Sequence, residues 1–389
     1  MISKKSTVKK LLALGALVVL FAVLTLLTSN VAVCEFFATT FSRAWIAVFG
    51  RIFGVLPFSA YELFLVAAIV LAIVFVVYLF VFLAKKKWNR LVSMLLIAGI
   101  TVFTFLNVYT VSASFAYNRE ALPDEIYAEY SSDNLTFEEA IALADRVIDG
   151  ANKAYLSTEH DSDGNIAYPY SDRQLSDLLA AEYAKINNPY FSKYTPRAKR
   201  IVNKTIMSEM HIVGVTFAPF GEVNVNGNEN NLYLPHTLAH EMAHAKGVMR
   251  EYQADIVASY VLISSDDDYL RYGALAQCLG SALSIVSSYP DSNEAYAELK
   301  SKINTGIYKE ISNYHEFYAK FSHLDELGEW FNDLYLKLQK QEDGTGSYVK
   351  PPVTEGTGEV DGSGNEIIYV VSFSGMQNLL INLYKQGKL

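Results

Sequence analysis

The chain has 389 residues, 51% of them hydrophobic and 19% charged, with a formal net charge of −9. That acidic balance, with the basic residues crowded near the start, argues against a nucleic-acid partner. Two cysteines, Cys34 and Cys278, are too few for a disulfide framework and read as inert thiols.

The hydrophobic residues concentrate at the start. Apolar segments occupy residues 11–27, 63–83 and 91–111, each with roughly the 17–25 residues that cross a bilayer. Lys4, Lys5, Lys9 and Lys10 precede the first segment, and Lys85, Lys86, Lys87 and Arg90 lie between the second and third. The first connection carries only Arg43 and Arg51 against Glu35. Positive-inside counting places the N-terminus and the 85–90 loop in the cytoplasm, and everything after Val111 outside it. The first segment is expected to be an uncleaved anchor, since two more follow and no A-x-A cleavage site is evident. This divides the chain into a membrane domain, 1–115, and an extracytoplasmic domain, 116–389, at the cell membrane.

Residues 31–56 break the pattern. Phe37, Phe41, Trp45, Val48 and Ile52 recur at helical spacing, with Thr39, Arg43 and Arg51 on the other side. The spacing predicts an amphipathic helix on the outer membrane face, a segment packing on the soluble domain, or both.

In the soluble part, Thr136-Phe137-Glu138-Glu139 is a capping-box pattern that opens a helix to about Tyr155. Asp161 to Asn165 resembles the start of a calcium loop, but the glycine offset and the missing closing glutamate make it a plain turn. Helices are expected from Ser171 to about Ile186 and from Pro196 to Met210. Residues 213–217 and 222–225 are β-type, around Pro219 and Gly221. One of these strands could receive a substrate backbone by strand addition, or the pair could simply cover the core.

The next segment carries the chemistry. His240-Glu241-Met242-Ala243-His244 is an HExxH sequence. On a helix, residues four apart share a face, so the two imidazoles could grip one ion. Glu241 then lies beside them, within reach of a water but not as a ligand. Pro235 suits the first turn of that helix. A continuous helix from His244 to Glu251 would run about 10 Å, too far for a shared ion. Gly247 is placed to end the helix in the left-handed conformation, so that a second helix starts near Arg250. Glu251 is then the expected third ligand, and Asp255, four residues on, the group that holds a ligand imidazole. His236 extends the histidine stripe one turn earlier and is expected to be packed or at the surface.

Helical spacing continues over 251–286 and 294–340. Residues 344–365 are expected to be a flexible insertion, followed by a strand over 366–373 and a closing helix from Gly375. The expected class is mostly α with a small β element: three N-terminal transmembrane helices followed by a zincin-like metallopeptidase domain.

These residues resemble a family of bacterial membrane proteins grouped as domain of unknown function 3810. The resemblance rests on the three apolar segments, Pro57-Phe58-Ser59, Phe217-Ala218-Pro219-Phe220-Gly221-Glu222, Leu234-Pro235, the HExxH segment, Gly247 and Arg250-Glu251-Tyr252-Gln253-Ala254-Asp255. It extends to about Gln341, and where the family tends to carry asparagine this chain has Asp255. More broadly the motif is similar to gluzincin-type peptidases, although their glutamate lies further downstream. The resemblance implies a zinc peptidase.

The expected function is therefore a membrane-anchored, Zn2+-dependent peptidase acting on a peptide or protein outside the cytoplasm. His240, His244 and Glu251 would hold the metal, and Glu241 would activate a zinc-bound water. Tyr252, Tyr269, Tyr272 and His236 are the expected candidates for an oxyanion stabiliser. The alternative is a non-catalytic membrane sensor or scaffold with a structural zinc site.

Overall fold

The computed structural model describes residues 4–321, 323–341, 344–348, 354–360 and 366–389. It begins with α1 (Lys4–Leu27), α2 (Val31–Phe37), a π-helical stretch Ala38–Ser42, α3 (Arg43–Phe53), α4 (Ala60–Ala84), α5 (Trp88–Tyr109), a second π-helical stretch Thr110–Ser114 and α6 (Phe115–Tyr117).

The three apolar segments fall inside α1, α4 and α5, except that α5 gives way to the π-helical stretch at Thr110. These helices are long and apolar enough to cross a membrane, as is the stretch Val31–Phe53. Helix α4 buries only Ala60, so its apolar side chains face outward all round. Helices α1 and α5 run parallel. Lys10 bonds Ser93 near their starts, Phe21 packs edge-on against Phe103, and Asn107 Nδ2 donates to the Leu17 carbonyl at 3.0 Å. Helix α4 runs the other way, its early residue Phe64 stacking on Phe105 late in α5. The two basic clusters therefore lie at one end of this bundle and the rest of the protein at the other.

Residues 31–53 form one nearly continuous helix that packs on the second π-helical stretch, Ser42 Oγ donating to the Val111 carbonyl at 2.6 Å, and on the rest of the protein. Arg43 Nη2 donates to the Pro189 carbonyl at 2.8 Å, and Trp45 Nε1 to the Pro219 carbonyl at 3.0 Å. Ile46 is buried. A Cβ on Gly50 would lie 2.8 Å from the Gly221 carbonyl, so a glycine is needed for the helix to pass this close.

The domain core is helical: α7 (Phe137–Ser157), α8 (Asp172–Ala184), α9 (Lys204–Glu209), α10 (Leu234–Ala245), α11 (Glu251–Ile263), α12 (Asp268–Ser287), α13 (Asn293–Lys302), α14 (Thr305–Tyr318), α15 (Asp325–Leu338) and α16 (Gly375–Lys385). Capping boxes at Thr136/Glu139 and Ser171/Gln174 start α7 and α8, where the sequence places them. Asp161 Oδ1 accepts from the amides of Asp163 and Asn165 at 2.9 Å, closing a plain turn.

A three-stranded sheet supports α10: β1 (Ala198–Ile201), β2 (Gly214–Phe217) and β3 (Glu222–Asn226), in the order β1-β3-β2. The helix expected over Pro196–Met210 is thus wrong in its first half. Ala198 lies opposite Val223 in a parallel pairing, so long-range pairing with β3 overrides a local composition that tolerates helix. Only the short α9 remains helical. Strand β2 pairs antiparallel with β3, Thr216 opposite Val223, and is the outer strand beside α10. Strand β3 is wholly buried.

The sheet also grips the start of α4. The Glu222 carboxylate accepts from the amides of Ala60 (3.3 Å) and Tyr61 (2.9 Å), and Glu62 accepts from Val202 and Asn203 at 3.1 and 2.7 Å. Carboxylates at a helix N-terminus satisfy its free amides and complement its dipole.

The expected flexible insertion at 344–365 holds a 3-10 turn, Gly344–Tyr348, and β4 (Thr354–Val360). Strand β4 pairs antiparallel with β5 (Glu366–Val371). Its remaining residues, 349–353 and 361–365, lie outside the described residues.

Candidate metal centre

Helix α10 places Pro235 in its first turn and ends at Ala245. The turn that follows is tight: the Val248 amide returns to the Ala243 carbonyl at 3.0 Å, and Gly247 has φ +96°. Such a conformation costs an L side chain dearly and glycine little. Helix α11 then starts at Glu251. Arg250 holds that start, donating to the carbonyls of Tyr117 (2.8 Å) and Arg119 (3.0 Å). Arg119 in turn donates to the Gly247 carbonyl at 3.1 Å.

This break brings Glu251 back against α10. Its Oε2 lies 3.1 Å from His240 Nε2 and 3.4 Å from His244 Nε2. The three donor atoms lie within 4.8 Å of one another, close enough to share a metal ion. The far side of each ring is tied off. His240 Nδ1 meets Asp255 Oδ1 at 2.7 Å, and His244 Nδ1 meets the Val248 carbonyl at 2.7 Å. With each Nδ1 donating its proton to that partner, the inward-facing Nε2 is the atom left to bind a metal. Asp255 sits where the sequence places it, behind His240.

The electrostatics favour positive charge here. Burial works against a charged His240, but Asp255 and Glu251 outweigh it and hold its pKa well above the usual value. His244 is also raised, because Glu251 overcomes burial. Burial pushes Glu251 up, but His244 and His240 pull it well below the ordinary carboxylate range. A pocket that stabilises protons on two imidazoles beside an ionised carboxylate fits a cation bound by the same three groups.

Glu241 meets β2. The Thr216 hydroxyl lies 2.7 Å from its Oε2. A Cβ on Gly214 would lie 2.5 Å from its Oε1, so glycine there makes room for the carboxylate. Burial raises the pKa of Glu241, against the pull of His244 and His240. At the end of β2, Phe217 packs on Tyr61 and Phe64 of α4 and Phe105 of α5, with ring centroids 4.9, 5.3 and 6.2 Å apart. The site thus sits directly on the domain-side ends of the apolar helices.

Of the expected oxyanion candidates, Tyr269 and Tyr272 have their hydroxyl protons committed elsewhere. Tyr269 donates to the Asn231 carbonyl at 2.7 Å, and Tyr272 to Glu310 at 2.7 Å. His236 faces Ser259 at 3.1 Å, and burial lowers its pKa. Tyr252 accepts from Gln253 at 3.2 Å. The tyrosine that the motif does not reveal is Tyr335 on α15. Its hydroxyl meets Tyr117 at 2.7 Å and also Tyr109. Burial pushes it up to about 12, and the Glu251 and Glu241 carboxylates act in the same direction. It lies far along the chain from HExxH, and no local pattern marks it.

No curated protein matches this chain, and no solved structure matches it. A family model covers residues 37–352, most of the chain and the whole of the site. The chain belongs to the family described as Protein of unknown function (DUF3810).

Proposed function

We propose that this protein is a membrane-anchored zinc peptidase that hydrolyses peptide bonds outside the cytoplasm. The observation that carries this reading is the convergence of His240 Nε2, His244 Nε2 and Glu251 Oε2 while both Nδ1 atoms are committed to other partners. Two imidazoles and a carboxylate suit zinc.

When bound, the ion supplies Lewis acidity. The remaining work belongs to the chain. Glu241 takes a proton from the attacking water and returns it to the leaving amine. Thr216 and Gly214 fix where that carboxylate stands. Strand β2, the outer strand of its sheet, offers its free edge to an extended substrate backbone. Helices α1, α4 and α5 cross the bilayer with their basic ends in the cytoplasm, which leaves the domain outside.

The test uses the full chain in detergent, with metal analysis and cleavage of an unfolded protein substrate. Glu241→Gln is expected to keep zinc and abolish cleavage, and Glu251→Ala to lose zinc. Retained proteolysis in the first, or undiminished zinc in the second, overturns the assignment.

A further inference from the structure

Helix α15 divides into three sectors. One packs on the protein: Leu336 and Gly328 are buried, and Tyr335 bonds Tyr109 and Tyr117. A second is polar, with Glu326, Glu329, Asp333 and Lys337. The third is a stripe of Leu327, Trp330, Phe331, Leu334 and Leu338, each between 41% and 71% exposed. At helical spacing these five fall within an arc of about 100°. A contiguous stripe of large apolar side chains marks a contact surface rather than a water-facing one.

The fixing points of α15 say what covers it. Tyr109, which bonds Tyr335, is the last residue of α5. Lys340, just past the end of α15, bonds Thr28 Oγ1 at 2.9 Å and Ser29 Oγ at 2.8 Å. Thr28 and Ser29 follow the last residue of α1 directly, and Val23 and Leu26, about one turn earlier, are exposed. The C-terminal half of α15 is therefore tied to the domain-side ends of two apolar helices, at the level where they would leave a bilayer. A tryptophan and a phenylalanine among leucines suit that level.

We propose that α15 lies in the outer membrane interface with Leu327, Trp330, Phe331, Leu334 and Leu338 seated in lipid. This rests on the reading of α1, α4 and α5 as bilayer spans. Its protein-facing sector is linked to the candidate metal centre: Tyr335 bonds Tyr117, whose carbonyl accepts from Arg250, the residue before Glu251. A lipid-seated helix is thus joined to the site through Tyr335 and Tyr117, which sets the metal centre near the bilayer surface.

The test is tryptophan quenching in phosphatidylcholine nanodiscs whose lipids are brominated near the head-group end of the acyl chains. The full chain is compared with Trp330→Phe, so that the difference belongs to Trp330 alone; this change at an exposed site keeps the fold. Leu71→Trp, in the middle of α4, reports separately on the spans, with deeply brominated lipid. Loss of most of the Trp330 emission in shallow-brominated discs is the expected result. If Leu71→Trp is quenched and Trp330 is not, then water, a second copy or another protein covers the stripe, and the inference fails while the spans stand. If neither is quenched, the reading of the spans falls and takes the inference with it.

Discussion

The Thr216 hydroxyl lies 2.7 Å from both the side-chain Oε2 and the backbone carbonyl of Glu241. It has one proton and serves one acceptor at a time, so an outer β-strand and the HExxH helix are joined at the candidate catalytic carboxylate. Thr216→Val removes the hydroxyl at nearly constant volume. A hydrogen bond to a charged group contributes about 1.5–3 kcal/mol, so cleavage is expected to fall about tenfold or more. Gly214→Ala is expected to be worse, because its Cβ would stand 2.5 Å from Glu241 Oε1. Neither change touches a proposed ligand, so zinc content should stay at the wild-type level in both. Full activity in Gly214→Ala would mean that Glu241 does not need the position it holds.

Gly247 sets the distance between the two ligand helices. At φ +96° an alanine is strained, by about 1–2 kcal/mol or more. Its Cβ would also sit 3.1 Å from Arg119 Nη1. Gly247→Ala is expected to lower both the unfolding temperature and the affinity for zinc, since relaxing this turn moves Glu251 away from His240. Competition with a chelator at graded concentration measures the second effect. Unchanged zinc affinity would show that the turn does not position Glu251.

A buried ion pair links this turn to the membrane-side helix. The Arg119 side chain is almost fully buried, and its Nε donates to Glu35 Oε2 at 2.9 Å. Removing one member of a buried pair costs about 3–5 kcal/mol. Glu35 is partly exposed, so Glu35→Gln is expected to cost about 2–3 kcal/mol. The double change Glu35→Leu with Arg119→Met should cost less than Glu35→Leu alone, because it leaves no uncompensated charge. Denaturant unfolding of Glu35→Leu, Arg119→Met and the double variant checks this, and strict additivity would argue against the coupling.

The parts of the site that local geometry dictates are legible in the sequence. His240 and His244 share a face because a helix repeats every 3.6 residues. Glu251 follows from the need to break that helix at Gly247, and Asp255 from its place one turn after Glu251. What the pattern hides is long-range. Ala198 to Ile201 contains good helix formers and becomes a strand only because β3 lies alongside. Tyr335 reaches the site through the packing of α15 on Tyr109 and Tyr117, and the Glu35–Arg119 pair joins segments that no spacing rule connects.

Glu229 makes the stability of the domain depend on pH. Its carboxyl is buried, accepts from the Asn230 amide at 3.1 Å and lies 3.5 Å from the Tyr318 hydroxyl. Burial raises its pKa from 4.5 to about 8. Below 4.5 the folded and unfolded chains both hold this proton, and the group does not oppose folding. Between 4.5 and about 8 the unfolded chain has released it while the folded chain keeps it. Stability from this group therefore declines as pH rises through that window and levels off above it. Glu229→Gln keeps the shape and removes the titration. Thermal unfolding at several pH values across the window should show a shallower decline in the variant, with the two chains closest at the acidic end. An identical slope in both chains would mean that Glu229 does not carry the effect.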